Sequence, residues 1–288
     1  MPKFLSDFAK LVKLRLSFLV VFSASISFLI GSKEQGFVNW TNWALLTLGG
    51  FLVTAAANGF NEIIEKDLDK LMKRTSDRPI PAGRMTTGQA LVLSIFMSIL
   101  GTLVLVKLNF LTGILSVFSI FFYAFIYTPM KRKSPIAVFL GAIPGALPPL
   151  IGYFAAFEHP AISWTPVILF LVQFMWQFPH FWSIAWVLDE DYKKAGFRLL
   201  PTTKPDKASA LVILLTTIVL IPVSFMPTLY HIGGYGIGLV SLVADLYFLY
   251  TAIHLYKHLD IASARRMMYV SFVYLPLVQV GLLLDFIS

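Results

Sequence analysis

Apolar residues run in long blocks along this chain, and polar residues gather in the short segments between them. Blocks near 14–30, 42–62, 87–107, 109–128, 136–157, 164–188, 208–229, 235–256 and 267–286 each reach or approach the roughly 20 residues an α-helix needs to cross about 30 Å of hydrocarbon. Helices satisfy their own backbone hydrogen bonds inside lipid, so the pattern predicts an all-α, polytopic membrane protein with about nine transmembrane helices. Only Lys107 to Asn109 separates the third block from the fourth. No polar stretch is long enough to fold separately, so residues 1–288 read as a single transmembrane domain.

Segments between about nine spans alternate sides of the membrane, which makes the placement of basic residues a test independent of hydropathy. All but Lys33 and Lys107 of the 23 Lys and Arg fall on one side. Omitting one span would destroy that partition, because every later segment would change sides. The bias predicts a cytoplasmic N-terminus and an external C-terminus. Two clusters, Lys3, Lys10, Lys13 and Arg15 near the start and Lys257, Arg265 and Arg266 near the end, read as orientation signals alone.

Composition narrows the chemistry. With 57% hydrophobic and 13% charged residues and a mean hydropathy of +0.77, the chain is not a soluble domain. Orientation accounts for the net charge of +8, and no nucleic-acid partner is expected. Cysteine is absent, so any metal must take oxygen or imidazole ligands. The first apolar block lacks a small-residue cleavage pattern and reads as a span rather than a signal peptide, which favours a bacterial inner membrane.

Two polar segments carry candidate chemistry. At 100° per residue, Asn58, Glu62, Glu65 and Asp69 fall within about 60° of one another on a helix, whereas Asp67 points away. Like charges so close at a membrane-proximal helix end repel one another unless a cation joins them. Mg²⁺, which typically holds a phosphate through one or two carboxylates, suits that stripe. Lys73, Arg74, Arg78 and Arg84 follow at once, and guanidinium forks match phosphate oxygens. A solvated, salt-bridged loop is the competing reading. The second segment, Asp189-Glu190-Asp191 followed by Lys193, Lys194 and Arg198, lies on the same predicted side, so the two acidic clusters can converge. Ordinary loop acidity competes here, because these acids are not at single-face spacing.

Other features are less specific. Tyr127 leads into Lys131-Arg132-Lys133, which orientation alone would also explain. Gly141, Pro144, Gly145, Pro148 and Pro149 crowd the fifth block, predicting either a pocket where protein covers freed backbone groups or a plain kink. Trp176 and His180 lie among aromatic residues in the sixth, where a hydrogen-bonded packing histidine competes with a ligand. His254 and His258 are spaced for a metal but lack a carboxylate in register. Asp245 sits near the middle of the eighth block, either protonated and hydrogen-bonded or facing a pocket.

Asn61-Glu62-x-x-Glu65-x-x-x-Asp69 followed by Arg74-Thr75-x-x-Arg78-Pro79 resembles the first acidic motif of the intramembrane aromatic prenyltransferase superfamily, N-D-x-x-D-x-x-x-D, with two aspartates replaced by glutamate. Tyr127-Thr-Pro-x-Lys131-Arg132, the Gly141 to Pro148 run, Trp176-Gln-x-Pro179-His180-Phe181 and Asp191-Tyr192-x-x-Ala195-Gly196-Phe197 resemble its heme-farnesylating branch. The likeness runs from about residue 10 to 285. It implies helices around a central, lipid-open cavity, with farnesyl diphosphate as donor and heme b as acceptor. By that resemblance Glu62, Glu65 and Asp69 hold Mg²⁺ with Asn58 or Asn61, and Asp189 and Asp191 form a second cluster without the usual D-x-x-x-D spacing. Lys73, Arg74, Arg78, Lys131, Arg132, Lys193 and Lys194 then neutralise the diphosphate. Asn58, Asn61, Asp69 and Tyr127 serve catalysis, and His180 and Trp176 grip heme. Lys13-Leu14-Arg15 replaces a more usual Lys-Pro-Arg.

Loss of pyrophosphate from an allylic carbon leaves a cation, so such a site needs charge stabilisation of the leaving group rather than a protein nucleophile. The expected site faces the cytoplasm, and a downstream heme-oxidising enzyme is a candidate partner. One rival is a prenyltransferase acting on a quinone-precursor aromatic acid. Another is a secondary transporter for an organic anion, which calls for inverted repeats and a midplane site; no clear repeat is visible.

Overall fold

The computed structural model describes residues 3–287. Its helices, in chain order, are α1 (Lys3–Leu11), α2 (Leu14–Gln35), α3 (Trp40–Asp69), α4 (Thr87–Val106), α5 (Phe110–Phe121), α6 (Thr128–Met130), α7 (Ala137–Ala155), α8 (Trp164–Val187), α9 (Asp189–Lys194), α10 (Lys207–Ser224), α11 (Met226–Leu229), α12 (Tyr235–His258) and α13 (Ile261–Leu284). A π-helical turn, Phe122–Tyr127, joins α5 to α6 and keeps that span continuous to Met130. Among the described residues nine helical segments are long and apolar enough to cross a membrane, as the hydrophobic blocks predict.

Local signals set the ends. Asn39, Asn109, Asp206 and Asp260 each cap a helix by accepting the amide of the residue three positions on. Thr86 and Gln89 form a reciprocal capping box on α4. Three boundaries differ from the hydrophobic pattern. The first span continues as helix to Gln35 and the second to Asp69, and the ninth begins at Ile261, because capping and packing carry helices beyond their apolar portion. At 1.5 Å per residue, the 30 residues of α3 extend about 45 Å, so its acidic end runs past the hydrocarbon.

Each long helix packs on the next in sequence, and α13 returns to α2 to close the circuit, which the contacts α2–α7 and α8–α13 cross. Residues such as Val92, Phe96, Ile99 and Leu103 on α4 and Val243 and Leu246 on α12 are exposed and supply a lipid-facing surface. Small residues bring helices close at two seams. A Cβ on Gly152 of α7 would strike the Ala24 backbone of α2, and between α3 and α4 a Cβ on Gly49 would come within 2.8 Å of Leu105 and one on Gly101 within 2.9 Å of Leu52.

The Gly/Pro-rich fifth span is a continuous helix, not a break. Pro149 removes the amide that would bond Gly145 O, and Gln173 Nε2 from α8 donates to that carbonyl at 2.6 Å. Ser23 Oγ and Gln279 Nε2 hold Gln173 Oε1 at 2.6 and 2.9 Å, tying α2, α7, α8 and α13 together. Gly141 makes room for the Tyr127 ring, which a Cβ would meet at 2.7 Å. Asp245, buried between α10, α12 and α13, accepts from Ser224 Oγ at 2.5 Å and Tyr274 Oη at 2.6 Å. Its hydrogen-bonded alternative is the observed one.

Candidate active site

The acidic stripe of α3 faces inward. Asn61, Glu62, Glu65 and Asp69 are at most 3% exposed, while Asp67 is exposed and pairs with Lys70. Helical spacing predicts this division, and tertiary structure supplies the partners. Glu62 Oε1 accepts the Ile80 amide at 3.1 Å. Glu65 Oε1 pairs with Lys131 Nζ at 2.8 Å, and its Oε2 accepts from Asn61 Nδ2 at 3.0 Å. Asp69 Oδ2 pairs with Arg78 Nη1 at 2.6 Å. Each acid thus meets a donor from outside α3, Glu62 and Asp69 from the loop after it and Glu65 from Lys131.

Two carboxylate oxygens remain. Glu62 Oε2 and Asp69 Oδ1 are enclosed with no hydrogen-bond partner, an arrangement that costs free energy unless a cation or donor joins them. Among the described residues no three acidic or histidine side chains converge tightly enough to enclose an ion alone. Mg²⁺ does not require that, because it takes one or two carboxylates and completes its shell with phosphate and water. The donor set therefore fits Mg²⁺.

Lys13 corrects an expectation. The N-terminal basic cluster reads from sequence as an orientation signal, yet Lys13 turns inward at the α1–α2 joint and donates to Asn61 Oδ1 at 2.7 Å. Its backbone is left-handed, φ 47° and ψ 57°, and Asn58 Nδ2 and Ser17 Oγ both donate to Val12 O beside it. Asn58, one of the two amides considered for the metal, is engaged one turn deeper, holding the joint that aims Lys13. No spacing rule reveals this, because Lys13 and Asn61 are 48 residues apart. Burial, reinforced by the charges of Arg78 and Lys131, drives the Lys13 ammonium well below the usual lysine range. Burial also pulls Lys131 down, but the Glu65 carboxylate, with Tyr123 and Tyr192, leaves Lys131 above its ordinary value.

Around this core the basic loops close. Lys131 Nζ lies 4.9 Å over the Tyr127 ring and 5.5 Å over Phe197. Thr128 Oγ1 accepts from Asn61 Nδ2 at 3.1 Å. Arg74 lies 6.0 Å over Tyr192. Lys73 and Arg132 are exposed. Arg84 bridges Asp7 at 2.8 Å and Asp77 at 2.9 Å, pinning α1 to the loop after α3.

The second acidic cluster meets the first loop, a convergence the charge partition allows. Asp191 Oδ1 and Oδ2 accept the amides of Lys73 and Arg74 at 3.0 and 3.2 Å. Burial pushes the Asp191 carboxyl up, but those amides outweigh it and hold it below the usual range. Asp189 pairs with Lys193 at 2.5 Å, and Lys194 approaches Asp191 at 3.3 Å. Both lysines thus partner acids of their own helix.

His180 and Trp176 converge on one residue of α13. Trp176 Nε1 donates to Ser271 O at 3.0 Å, and the indole stacks on the His180 ring at 4.3 Å. Ser271 Oγ donates to Met268 O at 2.6 Å and lies 2.7 Å from His180 Nδ1. With the serine proton committed, Nδ1 must donate, so Nε2 carries the lone pair. His254 Nδ1 bonds Ser263 Oγ at 2.8 Å, which gives it a structural role.

Residues 20–275 match the UbiA prenyltransferase family. The protoheme IX farnesyltransferase of Cytophaga hutchinsonii is 45% identical over 278 residues, covering 96% of each chain. The protein of that name from Christiangramia forsetii is 42% identical, covering 98% of this chain and 93% of that one. The fold is similar to a chain solved in work on digeranylgeranylglyceryl phosphate synthase, with a TM-score of 0.81, 21% identity and 98% of each chain covered. It is also similar to a UbiA homolog from Archaeoglobus fulgidus bound to GPP and Mg²⁺, with a TM-score of 0.68, 12% identity and 96% and 99% coverage. With nine helical segments among the described residues long and apolar enough to span a membrane, a buried acidic stripe and near-complete likeness to these relatives, the chain belongs to the UbiA prenyltransferase family.

Proposed function

We propose that this chain transfers the farnesyl group of farnesyl diphosphate to a vinyl group of heme b, giving heme O and pyrophosphate. The name shared by its relatives supports donor and acceptor. The observation that carries the chemistry is the buried set Glu62, Glu65 and Asp69 met by Arg78 at Asp69, Lys131 at Glu65 and Lys13 at the neighbouring Asn61. It suits a strongly anionic leaving group in a water-poor setting. The basic segments are read as facing the cytoplasm of a bacterial inner membrane.

Glu62, Glu65 and Asp69, with Asn61, would hold Mg²⁺, which when bound supplies charge neutralisation to the departing pyrophosphate. Lys13, Arg78 and Lys131 bind its oxygens from within, and Lys73, Arg74 and Arg132 from the loops. The allylic C–O bond breaks and its electron pair leaves with pyrophosphate. The heme vinyl carbon bonds to the farnesyl cation, and water adds at the adjacent carbon, losing a proton to leave the hydroxyl. Tyr127 offers its ring to the cation. His180, through Nε2, grips the heme iron with Trp176 as a flat wall. A heme-oxidising enzyme is the expected consumer of the product.

Expression in a host lacking this activity, followed by mass analysis of extracted heme, tests the proposal. A farnesyl-sized gain in mass supports it. Unmodified heme alongside turnover of an aromatic acid would overturn it in favour of a quinone-precursor substrate.

A further inference from the structure

The second acidic motif differs from the first in engaging both oxygens of one carboxylate with backbone amides, where Glu62 engages one oxygen, with the Ile80 amide. Asp191 spans two consecutive backbone amides, those of Lys73 and Arg74, with one carboxylate oxygen on each. Neither amide has a backbone partner among the described residues, so Asp191 satisfies donors that the irregular loop leaves open. The contact joins positions 118 residues apart.

The rest of the segment reinforces the same docking. Met72, 1% exposed, is buried with Ala195 and Phe197, and Leu68, Tyr192 and Leu199 pack around them. Arg74 stacks over Tyr192, the neighbour of Asp191. The Arg198 amide donates to Lys131 O at 2.7 Å, and Phe197 lies beneath the Lys131 ammonium. Residues 191–198 therefore touch both basic loops. By contrast, the enclosed carboxylate oxygens that neither a hydrogen bond nor an ion pair engages, Glu62 Oε2 and Asp69 Oδ1, both belong to the first motif.

From this contrast we propose that Asp191 is a positioning residue. It docks the 70–78 loop onto α9 and so aims Lys73 and Arg74 at the diphosphate, rather than ligating Mg²⁺. The assignment rests on the farnesyl-transfer reading for its kinetic test but not for its structural one.

The structural test is amide exchange in the detergent-solubilised full chain. Asp191→Asn keeps one acceptor and removes the charge, and exchange across 70–78 should accelerate about tenfold while exchange across 58–66 stays unchanged. Unchanged exchange at 70–78 overturns the proposal, whether or not the protein farnesylates heme. The kinetic test varies farnesyl diphosphate and Mg²⁺ separately. Asp191→Ala should raise the KM for farnesyl diphosphate by about tenfold and leave the Mg²⁺ concentration for half-maximal rate within about twofold. Asp191→Asn should recover part of the loss. Adding Asp191→Ala to Arg74→Ala should cost less than Asp191→Ala does in the wild-type background. A Mg²⁺ requirement raised in both Asp191 variants would identify a metal ligand and overturn the proposal, as would full additivity with Arg74→Ala. Wild-type protein that leaves heme unmodified would defeat the farnesyl-transfer reading alone, with the exchange result still deciding the role of Asp191.

Discussion

Lys131→Met isolates the ion pair at the heart of the site. The substitution roughly preserves side-chain length but removes the charge facing Glu65 Oε1 at 2.8 Å, where the two side chains are 11% and 4% exposed. At that distance and an effective dielectric of about 20, the Coulomb attraction is about 6 kcal/mol. Desolvation of both groups cancels much of this, yet removing one partner strands the other, at a cost of about 3–5 kcal/mol. Thermal stability in detergent should fall by on the order of 10 °C. Glu65→Gln should do similar damage by stranding Lys131, although its amide oxygen can still accept from Asn61 Nδ2. The double variant buries two neutral groups and should recover much of the loss, because no uncompensated charge remains. Farnesyl transfer should be lost in all three. A double variant that melts no higher than either single variant would refute the reasoning.

Other positions test other links. Gly141→Ala drives a Cβ to 2.7 Å from the Tyr127 ring; it should cost about 1–3 kcal/mol, with turnover falling and stability, though not turnover, returning when Tyr127→Ala is added. Gln173→Leu strands the carbonyl that Pro149 frees at Gly145, and the melting temperature should drop by an amount equivalent to about 1–2 kcal/mol. Asp206 accepts the Ser209 amide and the Thr202 hydroxyl at 2.8 Å each, which hold its carboxyl below the usual range. Its folded-state pKa is depressed, so its stabilisation is present above the unfolded carboxylate pKa of about 3.9 and is lost as pH falls through the folded value. Asp206→Ala should therefore melt a few degrees lower at neutral pH and match the parent under strong acid. His180→Ala should abolish the heme absorbance shift seen on titrating the detergent-solubilised protein; an unchanged affinity would remove His180 from the heme site.

What the chain determined by itself follows from rules that act along one dimension. Lipid excludes unpaired backbone, so the length and polarity of each block settle the helical class and the span count. The α-helical repeat puts Glu62, Glu65 and Asp69 on one face and Asp67 on the other before any partner is known. Tertiary structure decided what each charge meets. Lys13 reaches Asn61 across 48 residues, Gln173 caps Gly145 across 28, His180 meets Ser271 across 91, and Asp191 bridges two amides across 118. Those pairings turned an orientation signal into part of the site, closed an apparent break in α7, assigned a tautomer and gave the second acidic cluster its contacts. Burial is the physical reason: a charge or freed carbonyl out of water must find a partner, and the packing of distant helices selects which one.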